Sequence, residues 1–215
     1  MPIRKIPKNY RNVTGVAASD KAVGAAQFES TLERDYLALL EFSPEVVRFE
    51  VQPVKIEWVD DQGSPRSYTP DVLVEFNADL GRAPWLCEVK YRADLKKDWC
   101  TLHPKFLRAI RYTKQRHWRF RLITEVEIRA PFLVNVRFLS TFKFREISQT
   151  ETEKVLTRLR SVGKTTLAGM IHSLSADARR RAEWLPVVWH LLAHHKIGAE
   201  LEVALSMDTP IWSVS

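Results

Sequence analysis

Three charged residues, Asp71, Glu88 and Lys90, stand at the ends of two apolar segments. The segments read Y-T-P-D-V-L-V-E-F and W-L-C-E-V-K, with a polar turn between them. If both are strands, Glu88 and Lys90 share a face, because side chains two apart on a strand point the same way. Pairing of the two strands would bring Asp71 near both. Two carboxylates and an ammonium at strand ends suit a divalent metal ion beside a phosphate group.

A surface hairpin with scattered charges is the competing interpretation. For any one of the three residues alone it is the better one, because structural ion pairs also gather charges. The charge distribution favours a functional site. The 215-residue chain has a net charge of +7, yet eleven Lys or Arg against two Asp lie between Lys90 and Arg121, which leaves the rest of the chain at −2. The basic excess therefore follows the carboxylates directly and favours a polyanionic partner.

The segments around this cluster predict a mixed α/β sheet flanked by helices. A helix is predicted over 28–42, where Ser30 and Glu33 have the spacing of a capping box. Strands are predicted over 46–51, 54–59, 71–76, 84–90 and 119–124, and helices over 102–117 and 131–142. Together they define a domain over 23–148, preceded by an irregular basic arm over 1–22.

The last third of the chain has a different pattern. Helices are predicted over 151–162, 166–174 and 179–195, and strands over 200–205 and 211–214. Three helices and a hairpin are the outline of a winged-helix-like α+β domain, assigned to 149–215. Eight basic and seven acidic residues in it leave a net charge of +1, which favours a protein-binding module over a DNA reader.

Four motifs in order, S-T-L-E, Q-P, Y-T-P-D and E-V-K, resemble those of TnsA endonuclease subunits of heteromeric transposases. The resemblance is closest to the TnsA proteins of CRISPR-associated transposons, and more distantly to the PD-(D/E)xK restriction-endonuclease fold. The resemblance is strongest from Tyr10 to Lys90. The fold it implies is a restriction-endonuclease-like mixed sheet with the winged-helix-like domain behind it.

The resemblance implies a role for each matching residue. The catalytic set it implies is Glu33, Asp71, Glu88 and Lys90. One or two Mg²⁺ ions, for which Mn²⁺ can substitute, would be held by Glu33, Asp71, Glu88 and the backbone carbonyl of Val89. Gln52 of the Q-P motif and Ser30 would contact these ligands without binding the ion themselves. The basic segment would contact the DNA backbone through Lys96, Lys97, Lys105, Arg108, Arg111 and Lys114.

The activity implied is metal-dependent hydrolysis of phosphodiesters at the 5′ ends of a transposon, which permits cut-and-paste transposition. The implied partners are double-stranded DNA at the transposon ends, a TnsB-type transposase, and a TnsC-type AAA+ regulator bound through the C-terminal domain. Two alternatives stay open: a stand-alone restriction- or resolvase-like nuclease, and a catalytically idle DNA-binding assembly module.

Localisation is expected to be cytoplasmic and nucleoid-associated, with no membrane partner. The N-terminal residues show no apolar signal segment, and no apolar run approaches the ~18 residues of a membrane span. The two cysteines, Cys87 and Cys100, form no disulfide framework or metal motif. Cys87 lies in an apolar strand and is expected to be buried.

Overall fold

The computed structural model describes residues 13–214, which divide after Arg129 into two compact units. The strands of the first unit are β1 (Gly15–Ala17), β2 (Ala26–Phe28), β3 (Val46–Val51), β4 (Ile56–Val59), β5 (Pro65–Tyr68), β6 (Val72–Phe76), β7 (Trp85–Val89) and β8 (Arg119–Ile123). Its helices are α1 (Thr31–Phe42), α2 (Arg92–Lys97), α3 (Trp99–Lys114) and α4 (Glu125–Ile128).

A mixed four-stranded sheet in the order β3-β6-β7-β8 forms the centre of the first unit. Strand β6 runs antiparallel to β3 and β7, whereas β7 and β8 are parallel. A parallel pair needs a crossover connection, which α2 and α3 supply between β7 and β8. The predicted mixed α/β sheet with flanking helices is confirmed, and so is the predicted pairing of the two segments that carry Asp71 and Lys90.

Helix α3 packs on the sheet through apolar residues at helical spacing. Leu102, Phe106 and Ala109 are buried in one cluster with Leu86 of β7 and Tyr68 of β5. Strand β5 belongs to a separate hairpin with β4, closed by a turn over residues 60–64. The packing of α3 therefore links this hairpin to the central sheet.

Helix α3 differs from the sequence prediction at both ends, and helix α2 was not predicted. The helix predicted over 102–117 is α3, which begins at Trp99 and ends at Lys114. It cannot continue through His117, whose φ of 58° is left-handed. The sequence did not predict α2, because its six residues are too short for a helical period and contain one apolar side chain larger than alanine, Leu95.

Helix α1 begins where the capping pattern predicts. Ser30 has an extended backbone, and its hydroxyl accepts a hydrogen bond from the amide of Glu33. The helix starts at Thr31 instead of 28 because Phe28 is still part of β2. Residues 13–22 are not irregular throughout as predicted, since β1 (Gly15–Ala17) lies there and pairs with β2. The first twelve residues of the predicted arm lie outside the described residues.

The second unit is mainly helical. It contains α5 (Pro131–Lys143), α6 (Gln149–Val162), β9 (Thr165–Thr166), α7 (Leu167–Leu174), α8 (Ala178–Ala193), β10 (Ile197–Ala199) and β11 (Pro210–Ser213). Strand β11 lies between β10 and β9 in a small antiparallel sheet. Among residues 13–214, none of the helices has the length and apolar character needed to cross a membrane.

The division between the units falls earlier than the predicted boundary at residue 148. Helix α5 was predicted as part of the first domain, but it packs on α8 instead. The rings of Phe138 and Phe142 lie 5.2 and 6.5 Å from that of Trp189. Hydrophobic periodicity showed that a helix exists here but carried no information on which core it joins.

The strand predicted over 200–205 is wrong. The observed strand, β10, ends at Ala199, and a loop follows that is held by one side chain. Asn135 of α5 donates to the carbonyls of Leu201 and Val203 at 2.8 and 2.7 Å and accepts from the amide of Leu205 at 3.0 Å. These backbone groups need no neighbouring strand, because a buried amide side chain satisfies them.

Candidate active site

Asp71, Glu88 and Lys90 come together at the end of the β6–β7 hairpin. Asp71 stands just before β6, and its N–H donates to the carbonyl of Cys87 at 3.0 Å. Its carboxylate Oδ2 accepts from the amide of Val89 at 2.7 Å. The Lys90 ammonium lies 3.2 Å from Oε1 of Glu88, so these two side chains share a face as predicted.

Glu88 is buried, with 3% of its surface exposed. Its Oε1 accepts from Lys90, and its Oε2 accepts from the hydroxyl of Tyr68 at 2.6 Å. Tyr68 was not among the predicted site residues. A signal was present, because Tyr68 opens the Y-T-P-D motif and a buried tyrosine hydroxyl generally has a hydrogen-bond partner.

Glu33 holds the start of α1 with both carboxylate oxygens. Oε1 accepts from the hydroxyl of Ser30, and Oε2 accepts from the amide of Glu29, each at 2.8 Å. This is the structural role expected from the sequence. The charge of Glu33 nevertheless acts on Asp71 and Lys90, so the helix start faces the hairpin.

Gln52 connects the segment before α1 with the hairpin. Its backbone amide donates to the carbonyl of Asp71 at 2.8 Å, and its side-chain Nε2 donates to Oε1 of Glu29 at 3.1 Å. Its φ of 50° is left-handed, an uncommon conformation for a glutamine. Its Oε1 is buried and has no hydrogen-bond partner in the described part of the chain. Glu29 was not predicted as a site residue.

Burial and neighbouring negative charge raise the pKa of two carboxyl groups at the site. For Asp71 burial has the largest effect, and the carboxylates of Glu88 and Glu33 raise its pKa further, to well above the usual range. Burial also raises the pKa of Glu33, although its cap hydrogen bonds act in the opposite direction. Burial alone would lower the pKa of Lys90, but the surrounding carboxylates, Glu88 first, outweigh it and raise the pKa. The acids thus outnumber the one ammonium that faces them.

The raised pKa of Asp71 predicts a pH dependence of stability in metal-free buffer. The unfolded pKa of an aspartate is 3.8, and the folded pKa of Asp71 is higher. Such a group gives its full contribution to stability below pH 3.8. This contribution is lost as the pH rises through the folded pKa. Asp71→Asn has no such group. The melting temperature of this variant minus that of the parent should therefore become more positive as the pH rises from about 4 to about 8. Thermal unfolding in EDTA measures the difference, and a gap that shrinks with pH would contradict the prediction.

Two carboxylates and one backbone carbonyl are the groups that would hold a hard divalent cation here. Asp71 and Glu88 supply the carboxylate oxygens that such ions prefer. The N–H of Val89 points at Asp71, and the N–H and C=O of a strand residue point to the same side, so the Val89 carbonyl faces Asp71 too. Within residues 13–214 no three His, Cys, Asp or Glu side chains form a finished metal cluster. Each carboxylate oxygen of Glu33 accepts one hydrogen bond at the start of α1 and keeps a second lone pair.

The six predicted DNA-contacting residues lie on the two helices that follow β7. They are Lys96 and Lys97 of α2 and Lys105, Arg108, Arg111 and Lys114 of α3. Lys105 and Arg108 are half-buried, and the others are exposed. The guanidinium of Arg108 lies 5.9 Å from the centre of the Trp58 ring, so part of its surface is already used within the protein.

The two cysteines differ in environment. Cys87 of β7 is fully buried, as predicted, and lies 3.3 Å from the hydroxyl of Tyr36 of α1. Burial raises the pKa of its thiol to about 12. Cys100, in the first turn of α3, is exposed.

Two family models match the sequence, one after the other. A model described as "TnsA-like endonuclease N terminal" matches residues 43–125, and one described as "TnsA endonuclease C terminal" matches residues 127–201. No curated protein matches. The first matched segment contains Asp71, Glu88 and Lys90, whereas Glu33 lies before it. The two segments meet close to Arg129, where the structure divides.

Proposed function

The chain belongs to the TnsA endonuclease family, and we propose that it is the subunit of a heteromeric transposase that hydrolyses phosphodiesters at the 5′ ends of a transposon. Its partners are then transposon-end DNA, a TnsB-type transposase and a TnsC-type AAA+ regulator, and its location is the cytoplasm at the nucleoid. The motif pattern S-T-L-E, Q-P, Y-T-P-D and E-V-K supports a CRISPR-associated element.

The observation that carries the proposal is the meeting of two carboxylates and one ammonium at the open end of the β6–β7 hairpin. Asp71, Glu88 and the carbonyl of Val89 would hold Mg²⁺ or Mn²⁺, and Glu33 would complete this site or a second one. The ion would supply Lewis acidity toward the phosphate and lower the pKa of a bound water.

Lys90 is suited to stabilise charge and not to act as a base. Its raised pKa keeps it an ammonium at neutral pH. Its hydrogen bond to Glu88 orients the side chain along the site's face. An ammonium fixed beside the scissile phosphate offsets the negative charge that develops in the transition state.

Strand-mapped cleavage tests the function. The parent protein, with its two partner proteins and Mg²⁺, should cut transposon-end DNA at the 5′ ends, and EDTA should stop the reaction. Efficient cutting of plain duplex DNA at defined sites by the purified chain alone would instead support a stand-alone nuclease. Failure of the parent to bind Mn²⁺ would support an idle assembly module.

The exposed basic residues at the end of α3 are expected to contact the DNA backbone. Arg111→Ala/Lys114→Ala should weaken DNA binding about equally for all sequences and reduce the slope of log K against log salt by about 2, or roughly 1 per lost contact. Fluorescence anisotropy over a salt series measures this slope. Arg179→Ala/Arg180→Ala removes the same charge from exposed positions of α8 and should leave the slope unchanged. Equal losses in both variants would contradict a specific role for α3.

For the second unit we propose a winged-helix-like module that binds the AAA+ regulator. The order α6-β9-α7-α8-β10-β11, with the last two strands paired, supports this fold. The second unit carries eleven basic and eight acidic residues over 130–215, a net charge of only +3, and this modest charge supports a protein partner over DNA.

A further inference from the structure

Tyr68 reaches Glu88 from outside the central sheet. It is the last residue of β5, and β5 pairs with β4 and not with any strand of the sheet. The ring of Tyr68 is buried and lies 6.3 Å from that of Phe106 on α3. The packing of α3 thus fixes where the Tyr68 hydroxyl is held.

The two donors to Glu88 differ in mobility. Lys90 is a long side chain with about a third of its surface exposed, and its ammonium is the group expected to turn toward a phosphate. Tyr68 is a rigid ring enclosed by the core, and it donates at 2.6 Å. A carboxylate as deeply buried as Glu88 needs a donor that stays in place, because a buried charge without hydrogen bonds is costly.

We propose that Tyr68 is a positioning residue that orients Glu88 for cation binding, an inference that rests on the proposed nuclease function. The hydroxyl holds Oε2, so the carboxylate cannot rotate away when Lys90 leaves Oε1. Three charged groups act on this site: Lys90 just after β7, Asp71 just before β6, and Glu33 on α1. Tyr68 touches neither ion nor substrate, and acts through Glu88.

The chain offers a matched control on the opposite face of the same strand. Tyr36 is also buried, and its hydroxyl bonds to Cys87, the neighbour of Glu88. Tyr68→Phe and Tyr36→Phe each remove one buried hydroxyl that contacts β7 and keep the aromatic ring. A general loss of packing or stability should therefore affect both variants, whereas a loss of cation binding should affect Tyr68→Phe alone.

The experiment measures Mn²⁺ affinity of the full chain by electron paramagnetic resonance, alongside thermal unfolding. Tyr68→Phe should bind Mn²⁺ about 10- to 100-fold more weakly than the parent, the range for lost partners of metal ligands, while Tyr36→Phe should stay within about twofold. In a Glu88→Gln background, Tyr68→Phe should have little further effect, because the two residues act as one unit. Cleavage by Tyr68→Phe should recover substantially at saturating Mn²⁺.

Two results would overturn the inference. One is equal Mn²⁺ affinity in Tyr68→Phe and Tyr36→Phe, and the other is an undiminished effect of Tyr68→Phe in the Glu88→Gln background. These are distinct from failure of the proposed function itself. In that case the parent protein would bind no Mn²⁺, or Glu88→Gln would bind it as well as the parent.

Discussion

Asp71→Asn is expected to cleave DNA about 10³-fold more slowly than the parent protein, or slower still. Metal assistance lowers the activation barrier by several kcal/mol, and each ~1.4 kcal/mol of barrier changes the rate tenfold. The substitution removes one of the two carboxylates that would hold the ion. It keeps a carbonyl oxygen that can accept the amide of Val89, so the hairpin should stay folded. Single-turnover cleavage of transposon-end DNA with the partner proteins present measures the effect.

The control for this prediction lies on the same hairpin. Asp79, in the turn between β6 and β7, is exposed, and Asp79→Asn removes an equal charge far from any donor set. It should cleave at the parental rate. DNA affinity should not fall in either variant, because each loses a negative charge. A rate for Asp71→Asn within about tenfold of the parent would rule out the assigned role.

Lys90→Met is expected to slow the chemical step by about 10²–10³-fold, the usual effect of removing one group that stabilises charge in the transition state. Methionine retains most of the apolar stem of the side chain but no charge. Mn²⁺ binding should not weaken, because the substitution removes a positive charge next to Glu88. The two readouts together are the single-turnover rate at saturating Mn²⁺ and the Mn²⁺ affinity.

Lys55→Met is the matched control, since Lys55 is an exposed lysine of the same unit that pairs with Glu57. It should leave both readouts unchanged. If saturating Mn²⁺ restores the rate of Lys90→Met, Lys90 supports ion binding instead of the phosphate. That outcome would require a revised mechanism.

The sequence was sufficient to predict the elements in which one physical pattern dominates. Two short apolar runs and a polar turn predicted the hairpin that carries Asp71 and Glu88, and helical spacing predicted α1 and α3. The cap of α1 by Ser30 was also predicted, because it depends on residues three apart in the chain. Where the signal is local, the sequence is enough.

The remaining features depend on contacts between distant residues. Asn135 replaces a predicted strand with a loop, although its partners lie about seventy residues away. Tyr68 reaches Glu88 because α3 packs on the β4–β5 hairpin that carries Tyr68. Gln52 reaches Glu29 from a backbone with a left-handed φ. None of these contacts has a periodicity in the sequence, so only the folded structure reveals them.

The contrast between the two cysteines makes the protein easy to label at one position. Maleimide dyes react with the thiolate, and the buried, high-pKa thiol of Cys87 should be inert to them at neutral pH. Cys100 is exposed between Lys97 and Lys105, among the residues assigned to the DNA backbone. A dye placed there, without any engineered cysteine, would report the arrival of DNA in real time while leaving the carboxylate site untouched.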